Sequence, residues 1–185
     1  MQISPEELRE LRDFRNYAEK DDIRYKQIIK DKIIHNNKII YLLHDEELES
    51  NEAEPEDYLN EIILPFYYIP NIQTQTRNYL CFETSFDFVS RDNSVIKYQQ
   101  IIFYILCHYK DINVAEVSVA RHDLIASVLI DMFNGSNEFG TQMKLVSNKP
   151  SVVDNVFPCR TLIFENHTTN SIVKNGKVTG LRIGT

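Results

Sequence analysis

Arg121-His122-Asp123 sets a cation, an imidazole and a carboxylate side by side, the residue types of general acid–base catalysis. The triplet opens a run with helical periodicity. Consecutive residues on a helix diverge by about 100°, so the three side chains do not converge on one reacting atom. An aspartate in a first turn also suits the helix dipole without any catalytic duty. The reading is therefore structural. Cys107-His108 offers two metal-ligand types, but adjacent residues on a strand point to opposite faces, and a zinc site needs four ligands or three with an open position. His35, His44 and His167 add no ligand spacing. Glu83, Asp87 and Lys97 fall on neighbouring strand segments and invite comparison with metal-dependent nucleases. Their spacing, with a hairpin between them, fits a solvated sheet face better, and a small nuclease using Glu83 and Asp87 stays as an alternative. The chain has 5 glycines and no glycine-rich phosphate loop after a strand. No serine sits in a nucleophile elbow. The expectation is a protein that is not an enzyme and has no catalytic residues, no bound metal and no cofactor.

Composition narrows the class further. A chain of 185 residues with 43% hydrophobic content suits one domain with extensions and a real core. A formal charge of -7 argues against a general nucleic-acid binder, which needs clustered Lys and Arg. The opening stretch MQISPEELRELRDF is charged, and no run approaches the roughly 18 apolar residues of a membrane span. Cys81, Cys107 and Cys159 are odd in number and far apart, which predicts reduced, buried thiols of a cytosolic product. Two glycosylation-like triplets, at Asn134 and Asn166, are taken as chance matches.

The elements that would position these residues can be read from spacing. Ser4-Pro5-Glu6-Glu7 is a capping box with proline at the first helical position, followed by Leu8, Leu11 and Phe14 on one face. A second helix from Asp21-Asp22 carries Ile28, Ile29, Ile33 and Ile34, and Asn36-Asn37 interrupts it. Ile39, Ile40, Leu42 and Leu43 suggest another short helix. The acidic stretch from Asp45 to Asp57 contains no basic residue and reads as a solvated, mobile loop, or as a surface that repels DNA phosphates. Tyr58 to Leu64 reads as one or two helical turns, and Pro65 to Pro70 as extended chain. Tyr79 to Val89 alternates as a strand, with Leu80, Phe82, Phe86 and Phe88 on one face. A turn at Arg91 to Ser94 leads to a strand from Val95 to Tyr109 whose middle, Ile101 to Cys107, is apolar on both faces and so needs two covers. Val119 to Phe133 is the clearest amphipathic helix, with Gly135 as its stop. Strands follow at Thr141 to Ser147 and Cys159 to Asn166. Lys174-Asn175-Gly176-Lys177 suggests a terminal hairpin turn.

The expected fold is α+β: a mixed, mostly antiparallel sheet packed by one central amphipathic helix, with amino-terminal helices. Residues 1–21 form a charged helical arm, 22–168 a single domain and 169–185 a hairpin or extended tail. The helix from Val119 covers one side of the doubly apolar strand. The amino-terminal helices or another copy must cover the second, so the chain reads as an assembly protein. Arg91, Asp92 and Asn93 at the hairpin turn, with Lys110 and Asp111 at a strand end, are the expected contact residues between copies.

The order of helix, long loop, hairpin, core helix and two closing strands resembles the tail terminator and related head–tail connector proteins of long-tailed bacteriophages. The segments ILPFYYIPNIQTQTRNYLCFE, IIFYILCHYKD, RHDLIASVLIDMFNGSNEFG, MKLVSNKP and CRTLIFEN resemble neck-region proteins of phages from low-GC bacteria. The resemblance spans roughly residues 22 to 168. It implies a ring, often hexameric, that ends the tail tube and joins it to the head. The implied partners are further copies of the chain, the tail tube protein and head-completion proteins, in the virion neck, with DNA passing through without sequence-specific binding. A stopper or head-completion connector is the nearest alternative.

Overall fold

A computed structural model of the protein describes residues 3–13, 21–69, 76–90 and 93–169. Its architecture is the expected α+β, with helices laid on a mixed, mostly antiparallel sheet. The sheet has the order β1-β2-β3-β7-β6 and is built from β1 (Ile63–Leu64), β2 (Tyr79–Ser90), β3 (Asn93–Leu106), β6 (Lys144–Val153) and β7 (Phe157–Thr169). Only the short β1 runs parallel, to β2. β2 and β3 pair antiparallel from Tyr79↔Leu106 to Ser90↔Asn93, and β7 pairs with β3 from Leu106↔Cys159 to Ile96↔Thr169. A separate ribbon joins β4 (Asn113–Val114) to β5 (Val119–Ala120).

The strand register assigns each residue to a side. Leu80, Phe82, Ile101, Phe103, Ile105, Leu162 and Phe164 share one face and are fully buried. They lie beneath α2 (Asp21–Ile34) and α5 (Arg121–Phe133). Phe103 stacks its ring 5.0 Å from Phe133, and Phe133 lies 6.1 Å from Phe164. α2 contributes Tyr25, Ile29, Ile33 and Ile34 at helical spacing, and α5 contributes Ile125, Ala126, Leu129 and Phe133. At the hairpin end the same face turns polar. Gln99 donates to Asp22 Oδ1 at 3.0 Å, and Thr84 donates to the Asp22 carbonyl.

On the opposite face Ile102, Tyr104, Thr161 and Ile163 are half-buried. α2 does not supply this second cover; it packs on the first face, the side that α5 also covers. Part of the cover is instead the extended segment Pro65 to Ile69. Tyr67 sets its ring 4.4 Å from Tyr104, and Lys26 ties the segment down through the Pro65 carbonyl at 2.6 Å. The expected helical turns from Tyr58 to Leu64 are not formed. A 3-10 turn ends at Tyr58, and Ile63–Leu64 pairs with the start of β2, because Ile62, Ile63 and Leu64 are all buried at the sheet edge.

Several helix ends follow from side-chain capping. Ser4 and Glu7 form the reciprocal capping box of α1 (Pro5–Asp13), with bonds of 2.8 and 3.2 Å. Those bonds to Ser4 hold the Glu7 carboxyl below its usual range. Asn36 breaks the run after α2 and caps α3 (Asn37–Leu43), accepting from Lys38 N and Ile39 N. We expect Asn36→Ala to cost about 1 kcal/mol of folding stability, visible as a lowered urea midpoint with an unchanged denaturant slope. α5 starts two residues later than its periodicity suggests, because Val119 and Ala120 pair with β4. It stops at Asn134 in extended backbone, and Gly135 then takes a φ of 87°.

Candidate assembly surfaces and the polar clusters behind them

The triplet at the start of α5 is divided between two places. Arg121 points inward and is buried. Its Nε donates to the Asp111 carbonyl at 2.8 Å, Nη1 to the Leu42 carbonyl at 2.9 Å and Nη2 to Asp111 Oδ1 at 2.8 Å. Asp111 Oδ2 also accepts from Asn78 at 2.7 Å, and His44 Nδ1 lies 3.0 Å from it. Asn78 in turn donates to the Leu43 carbonyl and accepts from His108 N. The last carbonyls of α3 lack intrahelical partners, and Arg121 and Asn78 satisfy two of them. The cluster is a structural clamp joining the end of α3, the residue before β2, the turn after β3 and the start of α5. Sequence spacing gave no sign of it, because its members come from four distant segments.

His122 and Asp123 stay together on the outer side. Asp123 Oδ1 lies 2.6 Å from Arg160 Nη2 and 3.1 Å from His122 Nδ1. Burial, reinforced by Arg160, holds the His122 pKa below its ordinary value although Asp123 pulls it up. His108 is buried against Phe157, with ring centroids 5.4 Å apart, and desolvation lowers its pKa likewise. Both imidazoles are thus kept neutral in the folded chain, and the unfolded chain takes up protons first as pH falls. Stability should therefore decline as pH drops below the ordinary histidine value of 6.5 and level off once the folded imidazoles also protonate. Urea unfolding at pH 7.5 and pH 5.5 checks the sign, and His108→Gln should flatten the fall.

Of the two nuclease-like carboxylates, Glu83 is the described one, and it is engaged in holding a neighbouring segment. Glu83 Oε2 pairs with Lys26 at 2.6 Å, and its Oε1 accepts from Tyr67 N at 3.1 Å. The carboxylate thus anchors the segment that crosses the sheet. The Asp87 side chain lies outside the described residues. Lys97 is buried, with its ammonium 4.8 Å from the Phe86 ring centroid. Among the described residues no group of three or more His, Cys, Asp or Glu side chains could hold a metal ion. Cys81, Cys107 and Cys159 are free and buried. Burial pushes the Cys81 thiol up to about 12, so it stays protonated at neutral pH.

The acidic stretch is more ordered than the expected loop. Asp45 caps α4 (Glu46–Ser50) by accepting from Leu48 N at 3.0 Å, and a 3-10 turn covers Pro55–Tyr58. Arg77 organises it from outside, with Nε 2.9 Å from Asp45 and Nη2 2.5 Å from Glu47. Most of its carboxylates nonetheless remain at the surface: Glu46, Glu47, Glu49, Glu52, Glu54, Glu56 and Asp57 are exposed.

Of the expected contact residues, Arg91 and Asp92 lie outside the described residues. Asn93 begins β3 opposite Ser90. Lys110 is exposed beside Tyr109, whereas the Asp111 carboxylate is turned into the Arg121 clamp. The terminal hairpin expected around residues 172–178 and the Phe14 position also lie outside the described residues.

The exposed apolar surface gathers elsewhere. Phe66, Tyr67, Tyr68 and Ile69 are exposed along the crossing segment. A second area is a groove of about 470 Å³ framed by α3, α5 and the β4–β5 ribbon, lined by Tyr41, Leu42, Val114, Val117, Leu124 and Val128. Leu42, Leu124 and Val128 belong to the apolar stripes of their helices, and periodicity does not show that they border an open groove. No described helix is long and apolar enough to cross a membrane.

No curated protein matches the chain. The YomW family model matches residues 36–166, from the cap of α3 to the end of β7's buried stretch and well over half of the chain. The protein belongs to the YomW family, a phage-associated family.

Proposed function

We propose that this phage-associated protein is a virion structural component of the neck, acting as a ring of identical copies that ends the tail tube and joins it to the head. It works by shape rather than by catalysis. The observation that carries the reading is the exposed apolar surface in two separate places, the groove beside α5 and the aromatic segment from Phe66 to Ile69. An isolated monomer gains nothing from leaving such surface in water, and contiguous apolar patches commonly mark contact sites. Two different patches on one chain suit heterologous contacts, which close into a ring when the rotation allows. The order of elements resembles tail terminators, and the family is phage-associated. The surface carboxylates of the segment from Asp45 to Asp57, with a net charge of -7, would keep passing DNA from adhering.

Particles made without the protein test the reading. The expected result is tails of abnormal length or tails unjoined to heads, with the protein present in an inventory of complete particles. Normal joined tails in its absence would overturn the reading. A defect confined to heads that leak DNA would move the protein to the stopper position.

A further inference from the structure

The amino-terminal helix α1 is a ligand without a receptor on its own surface. Its nine residues, Pro5–Asp13, include no buried side chain. Ile3, Leu8 and Leu11 line one face. Ile3 and Leu8 hold the positions of a hydrophobic staple just before and just inside the helix start. Leu8 is 41% exposed and Leu11 53%. The groove beside α5 is a receptor without a ligand. Tyr41 and Val117 on its walls are 58% and 53% exposed. An apolar helical stripe at this spacing laid into an apolar groove is a common recognition mode.

Charge supplies a direction. α1 carries Glu6 and Glu7 in its first turn with no base among them, whereas its last turn, Glu10 to Asp13, sets Arg12 between two acids and is the less acidic end. The groove has ends of opposite sign. α3 runs antiparallel to α5, since Asn36 contacts Met132 while Arg121 bonds the Leu42 carbonyl. Lys38 therefore flanks the groove toward the carboxy end of α5, and Glu116, on the ribbon leading into α5, flanks it toward the amino end. The acidic first turn of α1 matches Lys38, and this orientation leaves the end that holds Arg12 beside Glu116.

We propose that α1 of one copy docks in the α3–α5–ribbon groove of the next, in this orientation, as the head-to-tail contact that links copies. This deepens the ring reading and rests on it. The contact is heterologous, so each copy offers one helix and one groove, and every copy in a closed ring uses both.

Two double variants separate the halves of the contact. Leu8→Glu with Leu11→Glu spoils the helix stripe, and Tyr41→Glu with Val117→Glu spoils the groove. All four side chains are exposed, so the fold should persist, which circular dichroism of each variant checks. By sedimentation of the full chain, each double variant should self-associate at least about tenfold more weakly than the parent. Mixed together, the two variants retain one good helix and one good groove between them. The mixture should form pairs and nothing larger. A parent chain that is monomeric throughout would sink both the ring reading and this contact. A parent that assembles while either double variant assembles equally well would sink the contact alone, as would variants that fail to pair on mixing.

Discussion

Replacing Arg121 by alanine should remove about 3–5 kcal/mol of folding stability, a large share of the total for a domain of this size. Arg121 is 5% exposed, and its guanidinium makes three bonds of 2.8 to 2.9 Å. Its removal leaves the partly buried Asp111 carboxylate without its main counter-charge and the buried Leu42 carbonyl without a donor. The cost arises from these orphaned groups more than from the lost attraction. Arg121→Lys should recover only part of the loss, because an ammonium cannot serve the Asp111 carboxylate, the Asp111 carbonyl and the Leu42 carbonyl in the geometry of a planar fork. Urea unfolding of the three proteins measures the order. An alanine variant within 1 kcal/mol of the parent would contradict a clamp role.

The second large effect belongs to Phe103. Its ring is wholly buried at the centre of the sheet, 5.0 Å from Phe133, 5.9 Å from Phe164 and 6.2 Å from Phe82. Phe103→Ala should cost about 3–5 kcal/mol, the lost transfer of the ring plus the cavity left between sheet and helices. Phe103→Leu should cost less, since most of the volume is kept. Tyr104→Ala, one residue along on the half-buried face, should cost distinctly less than Phe103→Ala, because water can enter the space. Equal losses at the two positions would mean that the two faces of β3 are not distinguished as the register implies.

The contrast between Phe103 and Tyr104 shows where sequence reading stopped. Ile101 to Cys107 is apolar at every position, so alternation gave no clue to which face is the deeper. The paired register decides it: Ile101, Phe103 and Ile105 face α2 and α5, and Ile102 and Tyr104 take the other face, where Tyr104 meets the crossing segment. Much else was legible. The Ser4–Glu7 capping box, the break at Asn36, the amphipathic run of α5 and the three buried thiols all follow from local spacing and residue type. The acidic stretch was legible as surface but not as structure, because its order depends on Asp45 capping α4 and on Arg77, which lies more than twenty residues further along the chain.

Sequence alone determined the α+β class, the positions of most helices and strands and the charged, unburied character of the first helix. Those properties depend on periodicity and on neighbours within a turn or two, where side-chain direction follows from the local backbone. Tertiary structure alone decided that α2 and α3 share a side with α5, that Arg121 and Asp111 serve the interior, and that α3, α5 and the ribbon leave a groove open. Each of these depends on which distant segments meet. Packing free energy selects that meeting over the whole chain at once, and no local window of residues encodes it.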